Sequence, residues 1–512
     1  MGFLKNPTKV EKPNSNKKRL FITLLFVALF VSTIIFFFAK YERNRIYHTI
    51  SEAPRGINVT YYDGILSRGF SWWTKPEKDI KSLIYLSEKK FDKKDLSLAK
   101  NFSGDVKSSH INGIYRALGT EEIVLDPSRR GKLLAVKYLS HSVKVLNLLP
   151  AQKYYYAVGY EKNLFYGSFE TENDLETTIV NFNDFQTSDY SKLYMGGRTL
   201  KAANNAALSN IDFYAFGGDF TSVFFDKNKF YNRYLGWIKS RDSLAKYIGS
   251  KPLMMTSGNH DMQDNLFVKN NSVQYDNSSS TGGYYSFNYN NVHFVSLNTN
   301  EWDRKQFLWL QKDLESSVEN STWTIIMLHI GPYTTGDHGI SMDNDYIKQI
   351  SGICSKYHVD LVLQAHDHTY SKTLPYLWDS PGFTTDENNS SVINRDLKTI
   401  SNDGIEYDYN PMGTYYISCG ASGHRVGENG AYAQSYGKKS FKNRNLKVAT
   451  STITIDSDYA DIGDVASTDT GKTMFGILYI KGLFLSYDFY VVDENGNAQL
   501  FDRLAISKSV SR

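Results

Sequence analysis

The residues best suited to chemistry in this sequence are carboxylates, one amide and several imidazoles that each follow a predicted apolar strand. Five strand ends carry them, in the order Asp184, Asp219, Asn259-His260-Asp261, His329 and His366-Asp367-His368. Ligand sites in α/β sheets form at the carboxyl ends of the strands. We therefore expect these side chains to meet at one edge of a sheet.

The residue types indicate a metal site. Imidazole nitrogen, together with carboxylate and amide oxygen, is a ligand set for Zn²⁺, Mn²⁺ or Fe. A carboxylate that bridges two such ions can hold them roughly 3.5–4 Å apart, and the pair clamps a phosphate and supplies hydroxide near neutral pH. Glycines precede Asp219 and Asn259, and they allow the backbone to turn sharply there.

Each of these residues taken alone has an ordinary structural explanation. An Asp after a strand, such as Asp184, is usually a helix cap or a turn residue. His329 could be a hydrogen-bonded core histidine, and Gly258-Asn259-His260-Asp261 could be only a structural turn. Their joint occurrence, in this order and all at strand ends, favours the metal site.

The elements that would position these residues differ along the chain. From Thr177 onward, predicted apolar strands alternate with amphipathic helices, such as Asp303 to Ser317, which is typical of an α/β layered domain. From Gly56 to Glu172 the sequence shows only short strands separated by turn residues, which predicts an all-β sandwich. No cluster of His, Asp or Glu in the sandwich indicates a site, so we interpret it as a spacer or packing module.

The N-terminus predicts a membrane anchor. Residues 20–39 carry no charge and have about the length that spans a bilayer core. Basic residues dominate residues 1–19, which predicts that this tail stays in the cytoplasm. Residues 40–55 would then form a charged linker, and the rest of the chain would be exported. A cleaved signal peptide is the alternative, but the apolar run is long and lacks a small-residue cleavage site.

Composition excludes several classes of protein. The 512 residues are 41% hydrophobic and 14% aromatic, which predicts a packed core rather than disorder. A net charge of +4 is too balanced to indicate a nucleic-acid-binding protein. Two cysteines, Cys354 and Cys419, exclude a disulfide framework. They leave a single bridge open and favour two buried free thiols.

The ordered motifs resemble the calcineurin-like metallophosphoesterase superfamily, and most closely its purple acid phosphatase branch. The resemblance covers about residues 55–505 and includes four further segments: Gly69 to Thr74, His141 to Gly159, Tyr284 to Leu297 and Gly413 to Gly420. It implies a four-layer catalytic domain over residues 177–508, with two mixed β-sheets flanked by helices. It also implies that the sandwich over residues 56–172 is fibronectin-III-like.

The resemblance also implies a role for each site residue. One metal would be held by Asp184, Asp219 and His368, and the other by Asp219, Asn259, His329 and His366, so that Asp219 bridges the two. His260 would stabilise the transition state or protonate the leaving oxygen, and Asp261 would orient His260. His338 would contact the phosphate and act as an acid, although a loop histidine is also often only solvated.

Three positions depart from the family pattern. Ser222 replaces the tyrosine that colours the purple enzymes, so we expect no purple chromophore and no strong preference for Fe(III). Gln186 replaces a histidine, and its amide oxygen could be a weak ligand or hold a water. Ala365 replaces a glycine before His366 and adds a methyl group near the site. None of these changes removes a core ligand.

The resulting expectation is a phosphate-ester hydrolase that acts outside the cytoplasmic membrane. A phosphomonoester or phosphodiester would be cleaved by metal-hydroxide attack, with His260 and His338 assisting. The alternative is a catalytically weak surface adhesion or scaffold protein that retains the fold. The β-sandwich and the changes at Gln186 and Ser222 support that alternative.

Overall fold

The computed structural model describes most of the chain after residue 52, together with one short N-terminal helix. The described residues are 22–36, 53–75, 81–114, 133–160, 163–171, 176–186, 193–207, 211–221, 240–262, 266–333, 344–368, 370–378, 391–393, 397–423, 473–493 and 495–509. His338 and Ser222 lie outside this part of the chain.

Seven antiparallel strands make up the N-terminal sheet. They are β1 (Arg55–Thr60), β2 (Arg68–Thr74), β3 (Ser82–Ser87), β4 (Lys100–Ile114), β5 (Leu133–Val145), β6 (Lys153–Tyr160) and β7 (Asn163–Glu170), with a 3₁₀ helix at Lys93–Leu98. Their order in the sheet is β1-β2-β5-β4-β3-β6-β7. The long strand β4 pairs with β3 along its first residues and with β5 along the rest. Side chains from both ends of the sheet share one apolar core, in which the rings of Phe70 and Tyr156 lie 5.0 Å apart, so the sheet folds over on itself.

Two larger mixed sheets follow. The first has the order β10-β9-β8-β22-β23-β24-β20-β19 and the second the order β11-β12-β13-β14-β15-β21-β16. The strands of the first are β8 (Glu176–Phe182), β9 (Phe213–Phe216), β10 (Leu253–Met255), β19 (Thr399–Asn402), β20 (Ile405–Tyr409), β22 (Thr473–Lys481), β23 (Phe484–Val492) and β24 (Ala498–Ser507). Those of the second are β11 (Asn277–Ser279), β12 (Gly282–Tyr289), β13 (Val292–Ser296), β14 (Trp323–Ile330), β15 (Leu361–Ala365), β16 (Tyr370–Lys372) and β21 (Tyr415–Cys419), and β17 (Tyr376–Trp378) pairs with β18 (Ser391–Ile393) as a separate hairpin.

The two mixed sheets pack face to face, and helices cover their outer faces. Phe213 of the first sheet meets Phe294 of the second edge to face, with the ring centroids 5.3 Å apart. The outer face of the first sheet packs against α2 (Leu193–Ala206) and the helical residues 240–248 (α3). The outer face of the second packs against α5 (Arg304–Ser317) and α6 (Asn344–Lys356). The expected mixed α/β fold with helix, sheet, sheet and helix layers is thus confirmed.

Local sequence explains these elements well. The parallel strand β14 is buried on both faces, which accounts for its uninterrupted apolar run. The predicted amphipathic helix is α5, where Asp303 is the N-cap and its carboxylate accepts a hydrogen bond from Gln306 N at 2.8 Å. Phe307, Leu310 and Leu314 form its buried face, as the spacing predicts.

The N-terminal sheet is hydrogen-bonded to the segment that follows the short helix α4 (Leu266–Asn270). Ser71 Oγ donates to Asn270 O at 2.6 Å, and Thr60 Oγ1 donates to Ser272 O at 2.5 Å. Tyr156 OH also donates to Gly249 O at 2.5 Å, just after α3. These contacts fit the packing module that the sequence left open beside a spacer, and they fall on residues 249, 270 and 272, on either side of residues 258–261 in the sequence.

Residues 22–36 are helical (α1), and their large apolar side chains are exposed. The membrane-spanning helix expected over residues 20–39 is not supported, since no helix in the described part of the chain combines the length and apolarity needed to cross a bilayer.

Both cysteines are buried and free, as predicted. Burial raises the pKa of each thiol, Cys354 and Cys419, to about 12, so both remain protonated at neutral pH.

Candidate metal centre

Strand ends from both mixed sheets converge at one edge of the molecule. Strands β8, β9 and β10 of the first sheet lead into Asp184, Asp219 and Asn259, while β14 and β15 of the second carry His329 and lead into His366 and His368. The structure brings together six side chains that the sequence placed there by strand position, namely Asp184, Asp219, Asn259, His329, His366 and His368. Residues separated by up to 184 positions thus meet because parallel strands of facing sheets end side by side.

Two groups of possible ligands share one carboxylate. The first group is Asp219, His329 and His366, and the second is Asp184, Asp219 and His368. Within each group, one ligand atom from each residue lies within 4.8 Å of the others. Asn259 extends the first group, since its Oδ1 lies 2.9 Å from His329 Nε2. This is the division into two ligand sets with Asp219 in common that the family resemblance implied.

The imidazole of His329 is oriented by the backbone. Its Nδ1 donates a hydrogen bond to Gly217 O at 2.8 Å, so Nε2 faces the candidate site. Nε2 lies 3.4 Å from Asp219 Oδ2 and 3.2 Å from His366 Nδ1. Burial would lower the pKa of His329, but the charge of Asp219 and a hydrogen bond to it raise the pKa to about 9. The site therefore favours a positive charge at this point, and a metal ion would supply one in place of the proton.

Asp219 is fully buried and remains a carboxylate. Its Oδ1 accepts a hydrogen bond from the backbone N–H of His260 at 2.8 Å. Burial would raise the pKa of Asp219, but the charge and hydrogen bonding of His329, reinforced by His260, lower it below its ordinary value. An ionised carboxylate between two sets of nitrogen and oxygen ligands is the group that a bridging role requires.

Asp184 supplies a buried acceptor that protein donors leave unused. Its Oδ2 accepts from the backbone N–H of His366 at 3.2 Å, but its Oδ1 has no hydrogen-bond donor among the described residues. That oxygen lies 3.6 Å from His368 Nε2. Burial raises the pKa of Asp184 well above its ordinary value, and Asp219 adds to this while His329 opposes it. A buried acceptor without a donor is costly, and a cation would satisfy it, so the residues fit a metal.

The backbone is strained at this site. Asp184, Gln186, Asp219, His366 and His368 all have positive φ angles, between 31° and 76°. They are five of the eleven non-glycine residues with positive φ in the described chain, so the strain is concentrated here. Such backbone costs on the order of 1–3 kcal/mol per residue and persists mainly where function requires it.

Two glycines are needed for close approach. A Cβ on Gly218, whose φ is +101°, would lie 2.6 Å from His329 Nδ1. A Cβ on Gly258 would lie 2.1 Å from Asp219 Oδ1. The glycines before Asp219 and Asn259 therefore let two loops and an imidazole pack against each other, beyond the sharp turn that the sequence predicted.

His260 lies beside the two ligand groups, and Asp261 joins the loops that carry the ligands. His260 Nε2 is 3.8 Å from Asp219 Oδ2. The carboxylate of Asp261 accepts from the backbone N–H groups of Phe220 and Gly258, both at 3.1 Å, and of Thr221 at 3.4 Å. Asp261 thus holds the two ligand-bearing loops together. Burial, with the charge of Asp219, raises the pKa of Asp261 to about 7.

Gln186 lies beside the shared carboxylate. Its amide nitrogen donates a hydrogen bond to Asp219 Oδ2. In this position Gln186 supports the shared carboxylate. The backbone turns back at Asp184 and Gln186, where φ is positive, and this turn brings the Gln186 side chain within reach of Asp219.

Sequence reasoning missed Asn183, which joins the two sheets at the site. Its Nδ2 donates to Gln364 O, two residues before His366, and to Cys419 Sγ, each at 3.2 Å. Its backbone N–H donates to Ser422 Oγ at 3.0 Å. A buried Asn directly before Asp184 at the end of an apolar strand was the signal that could have revealed it.

The fold and the arrangement of the site are similar to those of metallophosphoesterases. Residues 178–370 match the family model described as calcineurin-like phosphoesterase, so the predicted resemblance is confirmed for this part of the chain. The matched residues include every predicted metal ligand.

Relatives support the predicted resemblance to the purple acid phosphatase-like branch. The chain is 27% identical over 138 residues to probable purple acid phosphatase 20 of Arabidopsis thaliana, covering 24% of this chain and 32% of the relative. It is 23% identical over 337 residues to acid phosphatase type 7 of Mus musculus, covering 60% of this chain and 69% of the relative. The chain thus spans between about a third and about two thirds of the length of these curated relatives.

A solved structure shows the same fold. The purple acid phosphatase PPD1 from yellow lupin (Lupinus luteus) seeds superposes with a TM-score of 0.58 at 14% sequence identity. The match covers 90% of this chain and 75% of the lupin chain. At this identity the likeness concerns the fold alone.

Proposed function

We propose that this protein hydrolyses phosphate monoesters or diesters at a centre of two metal ions. The observation that carries the proposal is the pair of ligand groups that share Asp219 at one sheet edge. One ion would be held by Asp184, Asp219 and His368, and the other by Asp219, Asn259, His329 and His366. When bound, such a pair neutralises phosphate charge and lowers the pKa of a coordinated water. Zn²⁺, Mn²⁺ and Fe all suit these donors.

The residues of the chain prepare this site in three ways. Asp219 is held as a carboxylate between both ligand groups. The hydrogen bond from His329 Nδ1 to Gly217 O directs Nε2 into the site before any ion binds. The His260 imidazole lies against the site and is not itself in either ligand group. It would donate a proton to the leaving oxygen of the ester, which makes the leaving group a neutral alcohol.

The direct test is an assay of the full-length chain on p-nitrophenyl phosphate and on its bis ester, with Mn²⁺, Zn²⁺ or Fe supplied. Asp219→Asn is the control, because it keeps the shape of the side chain and removes the charge shared by both groups. We expect hydrolysis by the wild type and a loss of roughly 10³-fold or more in the variant. His260→Ala should lower kcat by about 10²–10⁴-fold while both metals stay bound.

The alternative, a catalytically weak adhesion or scaffold protein, has less support. The described ligands converge, and the change at Gln186 places a hydrogen-bond donor on Asp219 without displacing any of them. Turnover by the wild type no greater than that of Asp219→Asn, with every metal, would favour this alternative.

We also propose that residues 20–39 anchor the protein and that the catalytic residues act outside the cytoplasmic membrane. The uncharged run, the basic residues before it and the exposed Phe26 and Phe30 of α1 support this proposal. A reporter enzyme that is active only in the cytoplasm when fused after residue 45 would contradict it, as would release of the full-length chain from membranes by carbonate.

Strands β1–β7 are the candidate for the fibronectin-III-like module of the purple acid phosphatase branch. Their antiparallel pairing and the apolar core shared by both ends of the sheet support this proposal. An experimental structure in which these strands do not divide into two packed sheets would exclude it.

A further inference from the structure

A short 3₁₀ helix, Thr299–Glu301, follows β13 and lies at the sheet edge that carries the candidate metal centre. It contacts the backbone beside Asn259 and His329, which are two of the proposed ligands of one metal ion. Thr299 Oγ1 accepts a hydrogen bond from the N–H of Ile330, the residue after His329, at 3.0 Å. The side chain of Asn300 reaches Gly258, the residue before Asn259. One turn therefore joins the backbone of both ligands.

The amide group of Asn300 is surrounded by carbonyl oxygens. Its Nδ2 lies 3.2 Å from each of three acceptors, the carbonyls of Ser257, Gly258 and Thr281. A group without N–H donors could not occupy this position, because three acceptors would face another acceptor. The position thus selects an amide nitrogen and fixes which way the side chain points.

The turn itself is anchored to the body of the fold. Gln306 of α5, which is buried, accepts from the N–H of Asn298 at 2.8 Å and donates to Asn298 O at 3.0 Å and to Glu301 O at 3.1 Å. Because the turn is fixed to α5, the contacts of Asn300 and Thr299 hold the loop at residues 257–259 in place relative to α5 and the second sheet. Without them, the glycine-containing loop that carries Asn259 would have more conformational freedom.

We infer that Asn300, with Thr299, is a positioning residue for the second metal ion, the one assigned to Asp219, Asn259, His329 and His366. This inference rests on the proposed two-metal function. In this inference Asn300 is not itself a ligand. It fixes the backbone before Asn259, and Thr299 fixes the backbone after His329. Groups that orient metal ligands from outside typically change metal affinity by about 10–100-fold when they are removed.

The test is a calorimetric titration of the metal-free, full-length protein with Mn²⁺ or Zn²⁺. Asn300→Asp is the main variant, because it keeps the shape and places an anionic acceptor against three carbonyls. Thr299→Val is the second variant, since it removes only the acceptor for Ile330 N–H. Asn320→Asp is the matched control, because Asn320 is exposed at a helix end and its Nδ2 donates to a single carbonyl, Ser316 O, at 3.2 Å.

We expect the wild type and Asn320→Asp to bind two ions per chain. Asn300→Asp and Thr299→Val should keep the affinity of one ion and weaken the other by roughly 10–100-fold. Two reference variants identify the weakened ion, because His366→Ala removes a ligand of the second ion only and His368→Ala removes a ligand of the first only. The profile of Asn300→Asp should match that of His366→Ala, which general loss of stability would not produce.

Three results would overturn the inference: wild-type binding of both ions in the two positioning variants, parallel weakening of both ions, or the profile of His368→Ala. A wild type that binds fewer than two ions would overturn both the inference and the two-metal centre. A wild type that binds two ions and hydrolyses neither p-nitrophenyl ester would contradict the proposed function while the positioning role stands.

Discussion

At the scale of single residues, the candidate centre depends on atoms held closer together than most side chains permit. Gly258 and Gly218 have no Cβ, and this allows the loop of Asn259, the loop of Asp219 and the ring of His329 to share one small volume. Five site residues adopt positive φ so that their side chains point into that volume, and this backbone conformation is strained. Bound cations would offset part of this cost.

Gly258→Ala tests the close approach directly. The new methyl group would lie 2.1 Å from Asp219 Oδ1, so the loop or the carboxylate must move. We expect loss of at least one bound metal ion and a fall in kcat/KM of roughly 10²-fold or more, since small displacements of reacting groups are this costly. Metal content and kinetics on p-nitrophenyl phosphate provide the measurement.

Gly197→Ala is the matched control for this substitution. A Cβ at Gly197 of α2 meets nothing within 4 Å, so the change should leave activity intact and stabilise the helix by about 0.5–1 kcal/mol. Equal activity of Gly258→Ala and Gly197→Ala would contradict the account of the loop.

His141 gives a prediction away from the candidate centre. The ring is buried, lies between Thr74 Oγ1 at 2.7 Å and Ser82 Oγ at 2.9 Å, and stacks on Trp72. Burial lowers the pKa of His141 to about 4 from its ordinary value of 6.5. The folded state therefore binds this proton less readily than the unfolded state, so the stability contribution is complete above pH 6.5 and is lost as the pH falls toward 4.

Between pH 7 and pH 4, the free energy of unfolding should fall by about 3 kcal/mol on account of His141 alone. Urea unfolding of the wild type and of His141→Gln, which cannot titrate, measures the difference. The variant should show a correspondingly shallower loss of stability over this range. Identical pH dependence of the two proteins would show that His141 does not carry the effect.

Single residues also show which features of the site could be predicted from the sequence and which could not. Asp184, Asp219, His329 and the later ligands could be predicted because strand ends are visible as the last residues of apolar runs. The contacts of Asp261 and Gln186 could not, because they depend on how two loops fold over each other. Side-chain type indicates what a residue can do, while the path of the loop decides which partner it meets.

At the scale of elements, the N-terminal sheet supports the loop system of the candidate centre. Strands β1 and β2 are hydrogen-bonded to residues 270–272, which follow the loop of Asn259 and His260 after only the short helix α4. The buried Arg241 of α3 also donates to Ser71 Oγ at 3.0 Å and lies against the ring of Trp73. Sequence reasoning could not detect this interface, because its donors are ordinary Ser and Thr residues on exposed-looking strand positions.

Gly69→Ala probes this interface. A Cβ at Gly69 would lie 1.7 Å from Ser272 O, a backbone atom that cannot simply rotate away. We expect a loss of about 1–3 kcal/mol in the free energy of unfolding, typical of overpacking, together with a lower metal affinity than wild type. Denaturant unfolding and metal titration measure the two effects.

Thr60→Val offers a milder comparison at the same contact, because it removes only the hydroxyl, which donates to Ser272 O at 2.5 Å and lies 3.4 Å from Gly69 O. It should cost about 1 kcal/mol. If Gly69→Ala lowered stability but left metal affinity unchanged, the sheet would be a packing module without influence on the centre.

At the scale of the whole molecule, the candidate centre needs side chains from two facing sheets. The first sheet contributes Asp184, Asp219 and Asn259, and the second contributes the ligand histidines His329, His366 and His368. Asn183 links the two sheets through its hydrogen bond to Gln364 O. The alternation of strands and helices after Thr177 predicted this α/β architecture. It could not predict that β22–β24 complete the first sheet, where Val180 of β8 pairs with Ile477 of β22, because such pairing leaves no local pattern.

The most direct test of the two-metal centre is anomalous diffraction from crystals of the full-length chain grown with Mn²⁺ or Zn²⁺, measured at the absorption edge of the metal. A two-metal centre predicts two peaks on either side of the Asp219 carboxylate, one beside Asp184 and His368 and the other beside Asn259, His329 and His366. Absence of both peaks, or metal bound only elsewhere on the molecule, would contradict it.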